Sequence, residues 1–253
     1  MGPLATGLVA FACVLSGALL GMFFRTRIRD EYQGADSKDV VRLVMGLVVT
    51  TVALTLGLLV GSAKSFYDTQ NAEMAQLAAN YIMLDRVLGF YGPEAADARA
   101  DLRSILAHQL ERPRRMMAPS KTYTDIRSGA QMGDTLFDQI ERLSPKNDSQ
   151  RYYRQESLSL GIQLGQMRWL MYEQNAVPFP RFLMVMLVGW LVLLFGSFGI
   201  FAPRNPLVLA GLFASAMVVC GAILLILAMY HPQGVLIRVS DAPIRAALEQ
   251  LRR

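Results

Sequence analysis

The chain has 253 residues, of which 53% are hydrophobic and 18% charged, with a formal net charge of +5. This is more apolar than an ordinary soluble domain and more polar than a bare membrane bundle. Residues 63–178 carry 14 Lys/Arg against 14 Asp/Glu, so the positive excess sits in the loops and tails beside the apolar runs. That balance argues against nucleic acid as a partner and suits contact with anionic lipid headgroups.

The N-terminus, Met1-Gly2-Pro3-Leu4-Ala5-Thr6, has no positive region ahead of its apolar run, so no secretory signal is expected. Gly2 with Thr6 fits the loose myristoylation pattern, against which Pro3 speaks. A first apolar segment runs from Pro3 to Phe24 without a charge, long enough to cross a hydrocarbon core of roughly 30 Å. A short polar loop, Arg25 to Asp39, leads to a second segment from Val40 to Ser62. The third runs from Phe182 to Phe201 and the fourth from Leu207 to Tyr230, with Ala202-Pro203-Arg204-Asn205-Pro206 as a tight turn between them.

The polar middle reads as helical. Tyr67, Gln70, Met74, Leu77, Tyr81, Leu84, Leu88 and Tyr91 recur at alternating steps of three and four, a heptad seam. Nothing between Val60 and Leu88 stops a helix, so segment two is expected to continue into this seam and to end at Gly92-Pro93. A helix from Glu94 to about Leu110 follows, then a loop marked by Pro113, Pro119 and Ser120 to Gly129. A shorter helix is expected over Ala130 to Leu143, and a long one over Ser149 to Asn175.

No catalytic signature is present: no Gly-x-Ser-x-Gly elbow, no Walker loop and no His-Glu-x-x-His. Cys13 and Cys220 lie in apolar runs and act as small hydrophobes. His108 reads as a surface residue and His231 as an interfacial anchor. No enzyme activity, cofactor or metal is expected.

Polarity inside the apolar runs is the sharper clue, since it is costly in lipid. Segment two carries Thr50, Thr51 and Thr55, and Ser62 continues that stripe; threonines also serve simply to bond their own helix or glue helices together. Gly17-Gly21 and Gly57-Gly61 allow close helix packing, within a subunit or between subunits. The cluster Arg112, Arg114 and Arg115 is either a solvated face or an attractor of anions. By positive charge, the first loop (Arg25, Arg27, Arg29, Lys38) and Arg204 of the second turn face the cytoplasm, which puts both termini and the central region outside.

Several stretches resemble a bacterial family of unknown function labelled bestrophin-like (the DUF4239 group). They are Ser37-Lys38-Asp39-Val40-Val41-Arg42-Leu43 running on to Gly57-Leu58-Leu59-Val60; Gln70-Asn71-Ala72-Glu73; Leu84-Asp85-Arg86; Tyr91-Gly92-Pro93-Glu94-Ala95; Phe198-Gly199 with Ala202-Pro203-Arg204-Asn205; and Gly234-Val235-Leu236-Ile237-Arg238-Val239-Ser240. The resemblance spans residues 37 to about 248. The family commonly has acidic residues at the end of the fourth segment, where this chain has Ala228 and Tyr230 before His231-Pro232. The label implies a likeness to bestrophins, pentameric anion channels whose second membrane segment lines the pore. It also implies a cytoplasmic central domain, opposite to the charge count.

The expectation is therefore an all-α membrane protein of bestrophin-like order. Two transmembrane hairpins, residues 3–62 and 179–231, would flank a helical soluble domain, 63–178, with a membrane-proximal tail at 232–253. The expected function is an oligomeric ion channel, more readily anion-selective, in a bacterial inner (plasma) membrane. By the likeness it would be a homo-pentamer, with the lipid bilayer and inorganic ions as partners. Thr51, Thr55 and Ser62 would face the pore, and Val44, Leu47, Val48 and Leu58 would form a hydrophobic constriction. The alternative is a non-conducting scaffold or sensor whose helical domain binds a partner.

Overall fold

The computed structural model describes residues 3–25, 27, 35–115, 123–176, 181–202, 205–230, 237 and 240–252. Among these, all regular structure is helical: α1 (Pro3–Phe24), α2 (Ala35–Tyr91), a 3-10 turn (Pro93–Ala95), α3 (Ala96–Arg115), α4 (Tyr123–Arg142), α5 (Asp148–Ala176), α6 (Arg181–Phe201), α7 (Pro206–Tyr230) and α8 (Ala242–Leu251). Four of them, α1, α2, α6 and α7, are long and apolar enough to cross a membrane.

The apolar segments follow the sequence closely, because an uninterrupted apolar run satisfies its backbone only within its own helix. Segment two is continuous with the heptad seam in one helix of 57 residues, about 85 Å at the usual helical rise. It stops at Gly92, whose φ of 124° is open to glycine and strained for other residues.

Elsewhere the polar helices extend beyond their expected ends. Pro113 falls in the last turn of α3, where it removes a single backbone bond, and the helix runs on to Arg115. α4 begins at Tyr123 rather than Ala130, since Ser128 and Gly129 weaken a helix without breaking it. The expected loop at 116–122 lies outside the described residues, as do most of Arg25–Asp39, Pro203-Arg204 and His231.

The chain divides into two compact units. The first comprises Met1–Tyr67 and Pro178–Arg238. In it, α1 packs against α6 and α7. Its core is built from Val14 and Ala18 of α1, Leu187 and Leu191 of α6, Ile223 and Ile226 of α7, and Val52, Leu59 and Ala63 of α2. α1 and α6 approach closely through glycine. A side chain at Gly17 would meet the Val192 carbonyl at 2.9 Å, one at Gly21 the Gly196 carbonyl, and one at Gly199 the Ala18 carbonyl. Arg25 bonds the Ala202 carbonyl and so closes the C-terminal end of α6.

The second unit comprises Asp68–Val177 and Val239–Arg253. The seam residues Leu77, Tyr81, Leu84, Leu88 and Tyr91 are all buried here against Leu102 and Leu106 of α3, Ile140 of α4 and Leu164 of α5. The heptad pattern thus builds an intramolecular core. α8 was not expected from the sequence. It lays Ile244, Ala247, Leu248 and Leu251 into the same core, at the spacing of one helical face.

Candidate functional site

In the first unit, α2 has two unlike faces. Val52, Leu59 and Ala63 are buried, and Met45, Val48, Leu56 and Val60 pack beside them. On the opposite side Leu43, Leu47, Leu54 and Leu58 form a row at offsets of 4, 7 and 4 residues, one helical face. Each of these leucines is at least 70% exposed. Val44 is exposed beside this row.

The expected pore residues spread from this open face onto the flank beside it. Leu47, Leu58, Val44 and Thr51 are exposed and Thr55 is half-buried, while Val48 turns toward the packed core. Leu43 and Leu54 belong to the same open face. A search for hydroxyls passes over them, whereas the spacing of the leucines would have found them.

The threonines of the hydroxyl stripe are satisfied by their own helix. Thr50 Oγ1 donates to the Leu47 carbonyl at 2.8 Å, Thr51 Oγ1 to Leu47 at 2.9 Å, and Thr55 Oγ1 to Thr51 at 2.8 Å. A carbonyl can only accept, so each hydroxyl proton points into the helix and each oxygen turns its lone pairs outward.

Ser62 has a different partner. Its Oγ lies 2.9 Å from the Tyr230 hydroxyl at the end of α7. One turn further along α2, Phe66 stacks on the Tyr230 ring, with centroids 5.4 Å apart and planes 22° apart. One side chain of α7 therefore holds two residues of α2. Ala228, two residues before Tyr230, is buried.

The two glycine pairs have separate roles. Gly17 and Gly21 are used inside the chain, against α6; a side chain built at Gly57 or Gly61 meets nothing within 4 Å. The backbone of Arg112, Arg114 and Arg115 lies in the last turns of α3, and their side chains lie outside the described ones. His108 is half-buried on α3. No group of His, Cys, Asp and Glu among the described residues is placed to hold a metal ion.

In the second unit, the stretches that carry the resemblance form its corners. Asp85 takes a two-pronged bond from Arg99, at 2.8 Å to each oxygen. This bond, more than the opposing effect of burial, raises the Arg99 pKa above its already high ordinary value. The Tyr91 carbonyl accepts from Gln150 at 3.0 Å, and Lys146 bonds Glu94 at 2.8 Å. That bond, with a backbone bond, holds the Glu94 carboxyl below its usual range. Burial, reinforced by the Glu94 charge, pushes the Tyr91 phenol up. Asn71 Oδ1 lies 3.5 Å from the Ser240 amide, joining α2 to the tail.

Among the described residues all regular structure is helical, and four helices are long and apolar enough to cross a membrane, one of them continuing into the polar unit; this is the architecture of an α-helical membrane protein. A bestrophin-like domain family model matches residues 9–244, and the chain belongs to that family. Its fold is similar to the crystal structure of a bacterial bestrophin homologue from Klebsiella pneumoniae that carries an isoleucine-to-threonine mutation. The TM-score is 0.66 at 12% identity, over 98% of this chain and 99% of that one. No curated protein matches.

Proposed function

We propose that the protein is a homo-oligomeric ion channel of a bacterial inner membrane. In this reading α1–α2 and α6–α7 form two transmembrane hairpins around a shared axis, pentameric by the bestrophin likeness, and α2 lines the pore. One observation carries the reading: α2 packs on its own unit through Val52, Leu59 and Ala63 and leaves the opposite face to an exposed leucine row. A ring of such leucines is the constriction that gates by dewetting. Thr51 and Thr55 lie beside it and offer oxygen lone pairs to water.

The finer reading, an anion preference, comes from the bestrophin likeness. Thr51 and Thr55 add no donors to it, because their protons are already bound to the helix. The reversal potential of the purified protein under a salt gradient tests it: a shift toward the chloride potential supports anion passage, and a shift toward the cation potential overturns it.

A second reading, a non-conducting scaffold, is favoured by one observation in the second unit. Trp169 and Leu170, adjacent on α5, are each more than half exposed, which suits a partner protein. Purified protein that binds a partner through these residues and passes no current would establish this reading and overturn the channel.

A further inference from the structure

We propose that Tyr230 is a positioning residue that sets the rotation of α2 about its own axis. It would thereby decide whether the leucine row or the glycine flank faces the pathway. The inference rests on the reading of α2 as the pore helix.

Tyr230 touches α2 at two points one turn apart, through its hydroxyl to Ser62 and through its ring to Phe66. Residues four apart share a helix face, so the two contacts lie above one another and together resist rotation. The tyrosine is itself held, since Ile226 and Leu227 of the preceding turn are buried in the core of the unit. On α2, Ser62 stands one turn beyond Leu58. Rotation that separates Ser62 from Tyr230 therefore carries Leu58 and Leu54 with it.

Among the described residues nothing approaches within 4 Å of a side chain built at Gly46, Gly57 or Gly61. The buried face of α2 is also made of small or smooth side chains, Val52, Leu59 and Ala63, which slide more readily than interlocked polar groups. The hydroxyl pair is a directional contact at this end of the pore segment, and hydrogen bonds fix orientation where apolar contact does not.

The test reads rotation directly. Cysteines are placed singly at Leu54 and at Gly57, in full-length protein whose Cys13 and Cys220 are replaced by alanine, reconstituted in liposomes. The ratio of thiol-labelling rates at the two positions is then measured. Tyr230→Phe, which keeps the ring on Phe66, and Ser62→Ala should each shift the ratio by about two- to tenfold, the worth of one hydrogen bond. The double variant should shift it no further, and Ser62→Thr, which keeps a hydroxyl, should leave it near the unmodified value. An unchanged ratio in Tyr230→Phe, or shifts that add in the double variant, would overturn the positioning role. The readout needs no current. A shifted ratio in protein that never conducts leaves the positioning role standing and overturns the channel reading instead.

Discussion

Ser62 Oγ and the Tyr230 hydroxyl stand 2.9 Å apart, although 168 residues separate them in the chain. This bond ties the end of the apolar half of α2 to the end of α7. It lies where α2 passes from lipid-compatible side chains to the polar residues Lys64 and Ser65. The Tyr230 ring also stacks on Phe66, so α7 meets α2 through both a ring contact and a hydrogen bond.

The glycines of α1 and α6 make a selective prediction. Gly21→Ala drives a methyl into the Gly196 backbone and should destabilise the first unit by about 1–3 kcal/mol, the usual cost of overpacking. Gly57→Ala meets open space and should hold or raise stability, since alanine is the better helix former. Thermal melts in one detergent compare the two. Equal losses would contradict the packing described.

Arg99→Ala should cost about 2 kcal/mol, because it leaves the Asp85 carboxylate, 10% exposed, without its two-pronged partner. Asp85→Asn should cost less, since the amide oxygen still accepts from Arg99. Chemical denaturation of the purified protein ranks them.

Two buried tyrosines of the seam should respond in opposite ways. Tyr81 Oη accepts from Gln109 at 2.9 Å, and Tyr81→Phe should lose about 1 kcal/mol. The buried Tyr91 hydroxyl has no hydrogen-bond partner among the described residues. Tyr91→Phe should therefore be neutral or gain up to about 1 kcal/mol by removing a stranded polar group. The same denaturation measurement shows both, and a large loss at Tyr91 would contradict the environment described.

The Glu94–Lys146 pair predicts a pH dependence. The Glu94 carboxyl is held below its usual range, so its contribution is present above the ordinary glutamate value and fades as pH falls through the lowered one. Glu94→Gln should be less stable than the unmodified protein at neutral pH, and the difference should vanish in acid. Both groups are solvent-facing, so the effect should shrink in high salt. A difference that grows in acid would reverse the assigned sign.

The four apolar helices were legible because length and apolarity leave a chain few alternatives in lipid. The run-on of α2 was legible for a related reason: nothing from Val60 to Leu88 interrupts a helix. The seam was readable as a pattern, though spacing alone does not say whether its partner is the same chain. The structure supplies Leu102, Leu106 and Ile140 as the answer. α8 carried its signal in Ile244, Ala247, Leu248 and Leu251, but ten residues in a tail form a helix chiefly through the core they join. For the candidate site, the threonine hydroxyls are conspicuous in the sequence but are bonded within their own helix. Tyr230 could not be paired with Ser62 from sequence, because a contact across 168 residues leaves no local pattern.

If α2 lines a conducting pore, single-channel recording of purified protein in a planar bilayer, unmodified and as Leu54→Thr and Leu58→Ala, should show unitary currents. Their conductance or open probability should rise when a leucine of the exposed row is made smaller or polar, because a wetter constriction conducts more readily. Silent bilayers across salt and pH, or currents indifferent to both substitutions, would contradict this reading of α2.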